Sequence, residues 1–230
     1  MASARVHEPT VLVTPPVDVG FSPHHASWPG TLSLRLTTYL HLIKDVALSV
    51  VNSGFPRVLI VNGHGGNSAP LKALCAELVT DGNAIGCIDY FTPSQKQWSK
   101  LLCGSFKEVG HACEYETALY LALAESDEVT QILENVESAP PRLTQPWIKE
   151  NTTDPITNYG ASWPPIFQAN DCGYRGDPAV ATVVSGKRIL EVTVEQLSNF
   201  FREFSLVELR VGSAYEAFAD TIFEDEHSKN

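Results

Sequence analysis

Basic side chains are scarce in this 230-residue chain: 16 Lys and Arg stand against 27 Asp and Glu, a net charge of -11 at pH 7. Phosphate binding needs Lys and Arg gathered on one face, so a nucleic-acid partner is excluded, and an anionic membrane surface offers an acidic chain nothing. Cysteine is present but never in close pairs. Cys75, Cys87, Cys103, Cys113 and Cys172 form an odd set without a Cys-x-x-Cys, which removes zinc knuckles and redox dithiols. No uncharged apolar run approaches the roughly 20 residues of a membrane-spanning helix. Met1 to Thr10 lacks the apolar core of a secretory signal, so a cytoplasmic protein with free thiols is expected. Also missing are Gly-x-Ser-x-Gly, a Walker A loop and His-Glu-x-x-His, and with them the chemistries those motifs carry.

What is there fits one soluble domain over residues 1–230. Hydrophobic residues make up 43% and charged ones 19%, enough for a substantial core. Val11-Leu12-Val13 reads as a short strand ended by Pro15-Pro16, and Val17 to Gly30 as a loop. From Ser33 to Ser53, Leu36, Leu40, Ile43, Ala47 and Val50 recur at helical spacing, with Gly54 placed to end the helix. Arg57 to Val61 is a near-continuous apolar strand, Ser68 to Thr80 an amphipathic helix, and Ala84 to Tyr90 a second buried strand. This alternation predicts an α/β fold with a parallel sheet whose faces helices cover. His111 to Ala124 and Val192 to Phe204 read as further helices. Glu137 to Tyr174, with Trp147 and Trp163, reads as a long loop, and 219–230 as a frayed tail.

Two constellations carry chemistry. Asn62-Gly63-His64-Gly65-Gly66-Asn67 follows the first buried strand, and ligands of open α/β sheets bind at the carboxyl ends of strands. An imidazole there, flanked by glycines that allow close backbone approach, is a candidate metal ligand. His111-Ala112-Cys113-Glu114-Tyr115-Glu116-Thr117 places a histidine and two carboxylates within about one helical turn, where His111 and Glu114 would share a face. Such a set holds a divalent ion or moves protons. The alternative is that the carboxylates only favour a helix N-terminus. His24 and His25, in a Pro- and Gly-rich loop, are candidate ligands, substrate contacts or solvated residues. Asp177 is expected to cap the segment opened by Pro178. A nucleophilic Cys113 paired with His111 is disfavoured, since residues two apart on a helix face different ways.

In this order the motifs resemble the creatininase (creatinine amidohydrolase) family, over Gly20 to Leu34, Arg57 to Asn67, Gly110 to Leu123 and Gly173 to Leu190. The resemblance implies a three-layer αβα sandwich with a mainly parallel central sheet, often a hexamer, and metal-dependent hydrolysis of a small cyclic amide or related substrate. It implies a divalent ion (Zn, Mn or Fe), with His64, Glu114 and Glu116 as ligands. His111 would carry a proton to the leaving group. His25, Gly65, Gly66 and Asn67 would line the substrate site.

One departure stands out. Gly66 occupies the place of a glutamate ligand in creatininase proper, and Glu114 is the candidate replacement. The family's Glu-x-His-Gly-x-His-Leu-Pro-x-x-Thr-Asp ligand segment has no match, because His7-Glu8 is the only similar pair upstream of the glycine-rich loop. A catalytic ion wants about three protein ligands, so the alternative expectation is a non-catalytic partner subunit or a truncated product.

Overall fold

The structure is a computed structural model that describes residues 10–142 and 173–208. Trp147, Trp163, Cys172, most of the expected 137–174 loop and the 219–230 tail lie outside the described residues. The described residues gather into two compact units. One, the sheet unit, comprises Pro16–Phe21, Ser33–Tyr90 and the residues from Glu203. The other, the helical unit, includes Ser22–Leu32 and Phe91–Arg202.

In the sheet unit, helix α1 (Leu36–Asn52) leads to strand β1 (Val58–Asn62), helix α2 (Ser68–Thr80) and strand β2 (Ile85–Asp89). The strands pair in parallel, Val58 opposite Ile85 through Asn62 opposite Asp89, joined by the helical crossover that parallel neighbours need. Tyr39, Ile43 and Ala47, four apart on α1, are buried with Leu71, Leu74, Cys75 and Leu78 of α2 and Ile85 of β2. Truncating Leu71 or Leu78 to alanine at such sites costs about 2–5 kcal/mol. The opposite sheet face meets the end of the last helix, α6 (Val183–Leu206). A Cβ on Gly86 would lie 3.0 Å from the Phe204 ring and 3.7 Å from Leu59, so glycine there lets helix and sheet close up. Arg57 donates to the Phe204 carbonyl at 2.8 Å, taking up an otherwise unpaired helix-end acceptor. Two helices on one face of a parallel sheet and the end of a third at the other give the α/β class that the alternating pattern predicts.

The helical unit holds α3 (Gln95–Trp98), α4 (Glu114–Leu123), α5 (Ser126–Val136) and most of α6. Trp98 stacks against Tyr115 with ring centroids 4.8 Å apart, and its Nε1 donates to the Phe91 carbonyl at 2.7 Å. The Tyr115 hydroxyl and Ser94 both meet the Thr193 hydroxyl at 3.2 Å, so these buried polar groups satisfy one another. Gly186 of α6 lies so close to the Ala118 carbonyl of α4 that any side chain would collide.

Several expectations need correction. Val11–Val13 is not a strand: no strand pairs with it among the described residues, and Leu12 and Val13 are 68% and 76% exposed. Helix α6 starts at Val183, nine residues before the periodicity shows it. Helix α5 stands where no element is expected, started by a capping box between Glu125 and Glu128. Asp177 does not cap its own segment. Its carboxylate instead accepts the Ser105 N–H at 3.2 Å, tying two loops together. No helix among the described residues is long and apolar enough to cross a membrane.

Candidate active site

In the sheet unit, His64 sits just beyond the carboxyl end of β1, where parallel strands leave backbone groups open to a ligand. Asn62 is 4% exposed and clasps it. The Asn62 Oδ1 accepts the His64 N–H at 3.1 Å, and its Nδ2 donates to the His64 carbonyl at 2.8 Å. Asn67 donates to the same Oδ1 at 3.3 Å, while its own Oδ1 accepts the Phe21 N–H at 2.9 Å. The His64 ring hydrogen-bonds the Phe21 backbone, and burial pushes its pKa below the ordinary value against that bond's upward pull. An imidazole that donates one N–H to a carbonyl is fixed in one tautomer, its second nitrogen carrying a lone pair. Gly65 and Asn67 belong to a short 3₁₀ turn leading into α2. Neither a positive φ nor a neighbour within 4 Å requires glycine at 63 or 65.

Asp89 is a residue that motif reading misses. Its Oδ1 accepts Asn62 Nδ2 at 2.6 Å and the Ser68 hydroxyl at 2.8 Å. A carboxylate ending an apolar strand is the only signal in the sequence, and the partner register that makes it meaningful is not visible there.

In the helical unit, α4 begins at Glu114, so His111 is not on the helix. It pairs instead with Arg175 in an antiparallel bridge, donating at 3.1 Å and accepting at 2.8 Å. The helical face expected to join His111 and Glu114 does not exist, because Ala112 turns the chain with φ of 45°, a conformation non-glycine residues rarely adopt. The Ala112 N–H donates to Glu116 Oε2 at 2.6 Å and supports that turn. Burial raises the Glu116 pKa, offset in part by the Ala112 and Cys113 amides. Glu114 points inward, 1% exposed, and accepts backbone N–H groups through both oxygens, from Cys103 at 2.6 Å and Gly104 at 2.8 Å. Its carboxylate anchors a loop.

The rings of His25 and His111 lie 4.0 Å apart, tilted by 31°, and Ser22 Oγ meets His25 Nδ1 at 2.7 Å. His24 lies 4.2 Å from His25 by ring centroids. Cys113 is fully buried, its Sγ accepts the Gly110 N–H at 3.3 Å, and burial raises its pKa. A thiol in that state is a poor nucleophile.

Comparison with known proteins decides the family. The family model described as creatinine amidohydrolase matches residues 1–201. The chain belongs to the creatininase family. Among curated proteins, the mycofactocin precursor peptide peptidase of Mycobacterium ulcerans (strain Agy99) is 28% identical over 188 residues, covering 82% of this chain and 64% of that protein. The corresponding peptidase of Mycolicibacterium smegmatis (strain ATCC 700084 / mc(2)155) is 27% identical, covering 77% of this chain and 61% of that protein. This creatininase-family chain thus spans less than two thirds of the length of the curated relatives it matches. Among solved structures, a Bacteroides fragilis NCTC 9343 protein assigned as a creatinine amidohydrolase superposes with a TM-score of 0.63 at 23% identity, over 90% of this chain and 77% of that one. A creatininase in a Mn form gives 0.54 at 23% identity, over 76% and 67%. At these identities the structures establish the creatininase fold alone.

Proposed function

We propose that this chain is a divalent-metal-dependent hydrolase that cleaves a carbonyl C–N bond, with His64 as a metal ligand. The observation that carries this reading is the hold on His64. Its backbone is clasped on both sides by Asn62, its ring bonds the Phe21 backbone, and burial favours the uncharged imidazole. A neutral, oriented imidazole at the end of a parallel strand is what a borderline ion such as zinc or manganese binds. Iron suits the same donors.

The remaining roles are proposed residue by residue. Glu116 is the carboxylate ligand of the Glu-Thr pair, since Glu114 is occupied with two amides. His111, held by its bridge to Arg175, gives a proton to the departing nitrogen. Substrate contact is the role proposed for His25 in the helical unit and for Gly65, Gly66 and Asn67 in the sheet unit. A bound ion supplies activation of water near neutral pH and polarisation of the substrate carbonyl. The names of the curated relatives favour a peptide amide over a small cyclic amide, and creatinine is the comparison substrate. Cytoplasmic action as a homo-oligomer accompanies this reading.

The test is hydrolysis by zinc- or manganese-loaded protein of short synthetic peptides and of creatinine, followed by mass spectrometry. Cleavage of either, lost in His64→Ala and His111→Ala, supports hydrolysis. The occupied Glu114 carboxylate also favours a second reading, a non-catalytic partner subunit. That reading predicts metal uptake or assembly without turnover of either substrate class.

A further inference from the structure

We propose that Asp89 is the positioning residue for His64, acting by fixing the orientation of the Asn62 amide. The inference rests on the reading of His64 as a metal ligand and concerns what holds that ligand in place. A side-chain amide can sit either way round. In the observed orientation the oxygen of Asn62 faces the His64 N–H and its NH2 faces the His64 carbonyl. Turned over, each contact becomes donor against donor or acceptor against acceptor, inside a site where Asn62 is nearly sealed from water.

A carboxylate accepts only, so the Asn62 NH2 must point to it. Asp89 Oδ1 takes that NH2 at 2.6 Å and the Ser68 hydroxyl at 2.8 Å, and Ser68 Oγ itself lies 3.2 Å from Asn62 Nδ2. The strand register places Asp89 directly opposite Asn62, so the contact is built into the sheet. The consequence reaches the ring. Asn62 Oδ1 also accepts from Asn67, and Asn67 Oδ1 holds the Phe21 N–H. The Phe21 backbone in turn bonds the His64 imidazole. One amide orientation therefore governs both the backbone and the ring of His64.

The test compares wild type, Asp89→Asn and Ser68→Ala. Asp89→Asn keeps the size but presents an amide that can be turned. Ser68→Ala removes one donor and leaves the carboxylate. Zinc affinity is measured by competition with a chromophoric chelator. Ring ¹⁵N shifts of His64 in metal-free protein report its tautomer, and thermal unfolding reports stability. The expected result is a zinc affinity about 10–100-fold weaker in Asp89→Asn, a smaller loss in Ser68→Ala, and mixed His64 tautomers in Asp89→Asn. Unchanged affinity and a single tautomer, even with a lowered melting temperature, would overturn the proposal and leave Asp89 a purely structural residue. If wild type takes up no zinc, the ligand reading of His64 fails, and the tautomer alone decides whether Asp89 positions the ring.

Discussion

Glu114 accepts the backbone N–H of Gly104 at 2.8 Å, and its second oxygen does the same for Cys103 at 2.6 Å. A buried carboxylate used this way organises the loop before α4. Glu114→Gln places an NH2 against one of those donors and leaves it unsatisfied, at a cost of about 1–3 kcal/mol. Thermal unfolding of metal-free protein should show a drop of about 2–4 °C per kcal/mol for a chain of this size. Metal uptake by the folded variant should be unchanged, which separates Glu114 from Glu116.

The depressed pKa of His64 sets a pH dependence for the metal-free protein. Burial lowers it below the usual 6.5. Between that folded value and 6.5 the unfolded chain binds more protons, so stability rises with pH and is lost as pH falls below 6.5. Denaturant melts at a series of pH values should show this slope in wild type and a reduced slope in His64→Gln. Glu116 works in the opposite sense. Its raised pKa means the folded state binds more protons above 4.5, so that contribution declines as pH rises through its folded value. Glu116→Gln should remove it.

Two glycines provide a contrast. A side chain at Gly110 would run into the Arg175 carbonyl, the group that pairs with His111. Gly110→Ala should cost about 1–3 kcal/mol through forced displacement and reduce turnover by misplacing His111. At Gly63 nothing lies within 4 Å. Gly63→Ala should leave stability within about 0.5 kcal/mol. Paired unfolding and kinetic measurements on the two variants check both statements.

The thiols should differ sharply in reactivity. Cys87 of β2 shares a hydrogen bond with Cys75 of α2, which lowers Cys87 to about 7 and pushes the buried Cys75 up. Iodoacetamide labelling at rising pH, read by peptide mass spectrometry, should show Cys87 modified with a midpoint near 7 and Cys113 protected in the folded protein. Turnover retained by Cys113→Ser would agree with a metal rather than a thiol mechanism, because Cys113 is the buried thiol that labelling does not reach.

What the sequence displays is local. Helix α2 appears with the expected bounds, and β1 and β2 fall within a residue of the expected strands, because apolar runs punctuated by glycine and asparagine leave little choice, although both strands are half-buried rather than buried. Val11–Val13 has the right composition for a strand, but a strand needs a partner and composition supplies none. The start of α6 is hidden because Gly186 weakens the helical signal, while its closeness to Ala118 is a tertiary requirement. His111 fails as a helix residue for the same kind of reason: its pairing with Arg175, 64 positions later, outweighs local propensity. His64, His111 and Glu116 stand out as candidates from motif order. Asp89 cannot, since its meaning lies in a strand register.

The most direct measurement is the metal content of the protein after chelator stripping and reconstitution with zinc or manganese, compared with His64→Ala by elemental analysis per chain. The expected result is stoichiometric uptake of a divalent ion by wild type and its loss in His64→Ala, with both proteins folded. No uptake by wild type, or equal uptake by the variant, would contradict the assignment of His64 as a ligand and with it the metal-dependent hydrolase.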